Sequence, residues 1–464
     1  MFRNLRHVCL SVCILTAMAT SALAETRSPT FGREWVKSHP FTLMALNQRG
    51  EAVSENNLYS QAGLNTMLAW KDRPLTFQAA ARQKIPWQYH LDMRKGPLSN
   101  ELRSYINGLF KSYPGGEGIL LWDEPKLNEM ADLGKIAAWL REAHPNLLIY
   151  TNLNPIPPSG DHRFAPGRAG LREEGNESYP YSYHDSIMDC LKIVQPDVLM
   201  TDIYPFWSPD TLDPQKYLQN KYYLNLNLIR RAALDAKIPY WMFVQAYEDV
   251  GRCRLPSESD LRMQVYSTLA FGFTGIAYYT YDTVEEGSML DANNRPTDIY
   301  QRVASVNKEI KHLGNALTQL ASVDVRYIPG SQQIDGDVVA NPVPISMEVL
   351  RPHSWSSTTI SNIEIGQHGW DKSALVGFFE DDAGELYFMV VNLSHGKDVT
   401  AEQARTSIRV TMAPWVRELT MLSRENGKPI KVQMADNQFT LDLPGGTGEL
   451  FKLGSGPFPQ GGVR

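Results

Sequence analysis

Cysteine is scarce in this chain: four in 464 residues, too few for a disulfide scaffold. Cys9 and Cys13 fall in the N-terminal leader, which leaves Cys190 and Cys253. These two could form one disulfide in an oxidising compartment; the other reading is two separate buried thiols, since sequence does not show proximity. Ten histidines are scattered with no Cys/His cluster at metal-ligand spacing, so neither a metal nor another cofactor is expected. No run reaches the roughly 20 apolar residues of a membrane span. No glycine-rich phosphate turn comes after an early strand, which counts against an open, doubly wound nucleotide-binding sheet. Neither a Gly-x-Ser-x-Gly elbow nor a Ser/His/Asp order supports acyl transfer. Positive charge is not in excess either: the formal charge of −6 gives no sign of a nucleic acid or an anionic membrane surface as partner.

What is present begins with a secretory leader. Arg3 and Arg6 precede the short apolar run Val8 to Met18, and Ser21-Ala22-Leu23-Ala24 matches a small-x-small cleavage pattern. Residues 1–24 are therefore expected to be a cleaved signal, which makes the mature chain secreted or periplasmic, with charge −8 and no membrane span. Composition is that of a soluble globular protein, with 43% hydrophobic and 21% charged residues.

From residue 40 to 320 apolar runs alternate with helical stretches. Strands are expected near 41, 66, 85, 118, 147, 198, 239 and 275, the first being the weakest signal. Eight strand–helix units in this length predict an α/β fold of (β/α)8 barrel type spanning 25–324. A long Pro/Gly/Arg-rich loop, Pro155 to Tyr181, interrupts the pattern and reads as a wall or lid. After about 325 short β-rich runs separated by Asp/Gly and Asn/Gly turns predict a smaller antiparallel β-sandwich over 325–464.

The most informative stretch is Gly118-Ile119-Leu120-Leu121-Trp122-Asp123-Glu124-Pro125. Four apolar residues read as a strand buried on both faces, and it must end where the charges and proline begin. Two carboxyls and an indole then stand at the C-terminal end of a barrel strand, where such folds carry their chemistry. If the strand pleat continues, Asp123 points away from Glu124. The other strand ends supply His90, then Tyr150 and Asn152, then Asp202, Tyr204 and Trp207, then Gln245 and Glu248, and last Tyr279 and Tyr281. Glycoside cleavage needs two carboxyls across the bond. Glu124 is the expected general acid, with Asp202 or Glu248 as its partner. Trp122, Asp123, His90, Tyr150, Asn152, Tyr204, Trp207, Gln245, Tyr279 and Tyr281 are expected to bind sugar.

Three segments carry a family resemblance: Trp122 to Pro125, Trp241 to Tyr247 with Pro256 to Arg262, and Tyr266 to Tyr279. Through them the chain resembles clan-A-type glycoside hydrolase barrels and is distantly similar to the family 42 β-galactosidases and related uncharacterised secreted hydrolases. The resemblance implies Glu124 as acid/base and an accessory C-terminal β-domain. It also implies a glutamate nucleophile on strand seven, where this chain has Gln245. The expectation is therefore a metal-independent glycosidase with an oligo- or polysaccharide as partner. A non-catalytic carbohydrate-binding protein on a degenerate barrel, and a polysaccharide lyase, are the alternatives. No oligomeric state is implied.

Overall fold

The structure, a computed structural model, describes residues 30–461 except 55–56, 157–170, 175–176, 181–182, 209–216, 283–286, 352–358 and 367–371. The leader and most of the Pro155–Tyr181 loop lie outside the described residues; within that loop, Leu171–Glu174 and Glu177–Pro180 form an antiparallel hairpin. No helix among the described residues is long and apolar enough to cross a membrane.

Eight parallel strands close into a barrel. In chain order they are β1 (Thr42–Asn47), β2 (Thr66–Trp70), β3 (Trp87–Leu91), β4 (Gly116–Asp123), β5 (Leu148–Leu153), β6 (Val198–Asp202), β7 (Tyr240–Gln245) and β8 (Gly275–Asp282). The first strand, with the weakest sequence signal, is buried along its whole length and pairs with both β2 and β8. Period-two alternation divides each strand between two cores. Met44, Leu68, Leu120, Tyr150, Met200, Trp241 and Phe243 fill the barrel interior. Their neighbours face the surrounding helices in a larger apolar layer. A short helix that the sequence pattern does not announce, Phe31–Ser38, adds Trp35 and Val36 to the interior cluster, with Trp35 against Trp241 at 6.0 Å.

The second domain is built from a seven-stranded and a three-stranded sheet, with a separate hairpin Ser331–Ile334/Asp337–Ala340, all antiparallel but for the two-residue strand Glu348–Val349. Its first strand, Ala321–Ile328, starts four residues ahead of the boundary expected at 325. Strands Ala374–Glu380 and Leu386–Asn392 each serve two cores. Leu375, Phe379, Tyr387, Met389 and Val391 join the layer around the barrel, while Val376, Phe378, Phe388 and Val390 pack inside the sandwich. Between the domains, helix Glu258–Ala270 lies so close that a Cβ on Gly377 would stand 2.0 Å from the Ala270 carbonyl oxygen.

Of the two readings left open for the cysteines, the structure has the separate thiols: Cys190 and Cys253 are free and buried. Cys190 extends the helix Tyr183–Asp189 outside the barrel, whereas Cys253 bridges to Trp207 in the loops beyond β6 and β7. Burial pushes both thiols up, to about 12 and about 11.

The Gly377 contact gives a direct test. Gly377→Ala must push helix and sheet apart, and thermal unfolding is expected to show a loss of about 1–3 kcal/mol. Unchanged stability would mean the two domains do not pack as described.

Candidate active site

The exit of β4 breaks the strand pleat. Pairing with β5 is regular through Leu120–Tyr150 and then shifts, so that Asp123 pairs with Asn152. Trp122 and Glu124 both take left-handed backbone conformations, at φ 40° and 49°. A bulky residue there is a genuine outlier, costing on the order of 1–3 kcal/mol. The irregularity reverses the expected facing. Trp122, 4% exposed, joins the outer apolar layer, and Asp123 takes the inward position beside Asn152. Asp123 and Glu124 thus both lie where their charges reach Asp202, which corrects the expectation that the pleat would part them. Trp122 has no open ring face to offer a sugar.

Asn152 is the hub of the site. Its amide nitrogen donates to Asp123 Oδ1 and to Asp202 Oδ1, each at 3.0 Å, and its backbone carbonyl accepts the Glu124 backbone N–H at 2.9 Å. Two residues on, Asn154 stands 2.7 and 3.0 Å from the two Glu124 carboxylate oxygens when its amide nitrogen is turned toward them. Three carboxyls from β4 and β6 are so gathered around two amides from β5.

Burial raises the Asp202 carboxyl well above its ordinary value, and the charges of Glu124 and then Asp123 push it further; the Asn152 bond offsets this in part. Asp123 is also raised by burial, against the Asn152 bond and the Lys71 charge. Asp202 is therefore the carboxyl that holds its proton when solvent-exposed acids have lost theirs. The Tyr183 phenol, fully buried, feels the Asp202 and Glu124 charges in turn.

Aromatic rings stand beside the acids. Tyr204, Tyr247 and Tyr279, each half-buried, form a cluster with ring centroids 4.9–5.7 Å apart. Asp202 and Asp123 both raise the Tyr204 phenol, after burial itself, which places that ring next to the carboxyls. On the opposite side Trp70 stacks on His90 at 3.7 Å. His90 is buried and driven down to about 3, hence neutral, and neither ring nitrogen has a hydrogen-bond partner among the described residues. Tyr247 and Trp70 were not among the expected sugar-binding residues. Trp70 ends an apolar run, which gives it the pattern of a core residue.

Other expectations fail on packing. Tyr150 is fully buried below the site, with its hydroxyl on Gln88 and its ring against Trp241. Tyr281 faces outward and packs on Tyr59. Trp207 packs on Tyr217 and carries Arg252 over its ring, leaving 9% exposed. Glu248 is a different case: it is half-buried in the loop after β7, where its backbone N–H donates to Gly287 O at 3.2 Å.

Gln245 is the clearest correction. It is fully buried; its Oε1 accepts from Phe206 N at 3.2 Å, and its Nε2 donates to Tyr247 O and Arg254 O at 3.3 and 2.9 Å. Both amide hydrogens are spent on backbone, so Gln245 fastens the loop after β6 to the loop after β7 and has none left for sugar.

No protein-family model and no curated protein sequence matches the chain. Solved structures of glycoside hydrolases do resemble it. One, described simply as a glycoside hydrolase, is 11% identical over 89% of this chain and 92% of its own, at a TM-score of 0.44. The polyextremophilic β-galactosidase of Halorubrum lacusprofundi is 11% identical over 89% and 99%, at 0.39. The β-galactosidase of psychrophilic Marinomonas ef1 is 11% identical over 60% of this chain and 62% of its own, at 0.40. At such identity the chemistry has to be read from the side chains.

The hydrogen bonds and burial lead to two expected outcomes. Gln245→Glu would aim a buried carboxylate at two carbonyl oxygens, so chemical denaturation should show a loss of about 3–5 kcal/mol rather than a repaired nucleophile; a variant as stable as wild type would refute the fastening role. For Asp202 the folded state keeps a proton that the unfolded chain releases above about pH 3.9, so this group costs stability as pH rises. Asp202→Asn should therefore gain on wild type in melting temperature as pH rises above about 4. A difference that stays flat over that rise would show Asp202 to be ionised in the fold.

Proposed function

We propose that the chain is a secreted glycoside hydrolase that cleaves an oligo- or polysaccharide with the carboxyl pair Asp202 and Glu124. The observation that carries this reading is the gathering of Asp123, Glu124 and Asp202 around Asn152, with Asp202 raised by burial and by the other two charges. Two carboxyls whose environments differ divide the acid and base roles between them. Asp202 keeps its proton and is the donor to the glycosidic oxygen. Glu124, half-buried and backed by Asn154, is the carboxylate that acts at the anomeric centre or on a water beside it. This reverses the role that the sequence alone suggested for Glu124. Asp123, sharing the Asn152 amide, adds the negative charge that holds the proton on Asp202. Tyr204, Tyr247 and Tyr279 offer half-buried ring faces and hydroxyls to the sugar.

The test is turnover on a panel of oligosaccharides, read by released reducing ends. Asp202→Asn and Glu124→Gln should each lose at least about 100-fold in kcat, the scale of acid/base catalysis. Full activity in either variant, on a substrate the wild type cleaves, would remove that residue from the chemistry. Binding of a glycan by wild type with no product formed would instead favour a non-catalytic sugar-binding barrel.

A further inference from the structure

A cavity of about 570 Å³ opens at the ends of β1–β3, where Lys71 reaches Asp123 electrostatically. Four cations line it, Lys71, Arg73, Arg94 and Lys95, together with Trp70. Two carboxylates stand among them. Asp72 is taken by Lys95 Nζ at 2.7 Å and by the Tyr89 and Tyr105 hydroxyls. Asp92 is taken by the Arg94 backbone and guanidinium at 2.9 and 2.8 Å. Lys71 reaches Asp92 only at 3.7 Å, and Arg73 donates to the carbonyl oxygens of Gln48 and Asp72, which cancel no charge. The cavity therefore keeps surplus positive charge in a chain whose net charge is −6.

Its position gives that surplus a use. Trp70 closes one wall, with one face on His90 and Lys71 Nζ 5.4 Å from its ring centroid. His90 lies on β3, next to the strand that ends in Asp123, and the Lys71 charge acts on both residues. A sugar with a negative group would be repelled by the two carboxylates beside protonated Asp202. A cationic wall beside them offsets the repulsion and selects for that group.

We propose that this cavity is a subsite for the negatively charged substituent of an acidic sugar, a uronate carboxylate or a sulfate ester, with Trp70 as a side wall and Lys71 and Arg73 on the anion. The proposal rests on the glycosidase reading for the ligand being a sugar, but its test reads binding apart from turnover. Calorimetry on the full chain would compare two matched pairs: oligogalacturonate with its methyl ester, and a carrageenan oligosaccharide with its desulfated form. The charged member of at least one pair should bind about 10-fold tighter or more, as expected of hydrogen bonds to an ionised group, and the pair that shows it names the substituent. The preference should shrink with rising ionic strength and vanish in Lys71→Gln/Arg73→Gln. If that double variant fails to fold, the salt series on wild type and Arg94→Gln, whose side chain is 75% exposed, carry the test. No preference within either pair, or a preference that survives both salt and substitution, overturns the subsite. Preference without cleavage keeps the subsite and removes the hydrolase; cleavage of neutral glycans without preference does the reverse.

Discussion

One side-chain amide holds the chemistry of this molecule together. The two hydrogens of the Asn152 amide go to two carboxyls on different strands, and the backbone carbonyl of the same residue fixes the start of the turn that presents a third. Acids brought so close in a buried setting cannot all ionise at once, so the geometry itself sets which of them stays neutral. The β4 exit bends into two left-handed residues to meet that amide. Such strain persists only where the surroundings over-determine it. Here they do, since Thr151 also ties the Trp122 carbonyl from the same strand, with a hydroxyl at 3.1 Å.

The second domain contributes to this rigidity from behind. Helix Glu258–Ala270, pressed between barrel and sandwich, turns Gln264 onto the main chain of Gln245 at 3.1 Å. Asp260 on the same helix takes Arg254 from the loop after β7 and His395 from the sandwich, at 2.8 Å for the latter. Further along, Arg262 pairs with Glu309 at 2.7 Å, and Arg424 of the sandwich pairs with Glu449 at 2.6 Å and approaches Glu309 at 3.4 Å. The loop that carries Tyr247 is thus braced by groups from both domains.

Much of the fold was legible because its signals are periodic. Continuous apolar runs marked all eight barrel strands to within a few residues, and turn residues marked most of the sandwich. The site was less legible, for reasons that lie in particular residues. Alternation assigned Asp123 to the wrong face because nothing local announces that Trp122 and Glu124 leave the β region. Tyr150, Tyr281 and Trp207 have the residue type of a sugar platform, and only packing shows their rings to be covered. Gln245 was read through the role a glutamate would play there, whereas its partners are three backbone groups of the loops after β6 and β7. Trp70 and Lys71 were overlooked because an aromatic ending an apolar run looks like core until the cavity beside it is seen.

The turn at Trp122 and Glu124 also bears on how this protein can change. Glycine at either position would relax the backbone at once, since it occupies left-handed conformations freely. At 124, however, the same step deletes the carboxyl. At this position backbone ease and the carboxyl therefore pull in opposite directions. A chain that had stopped needing the acid would have an easy route to a calmer strand end, one substitution away.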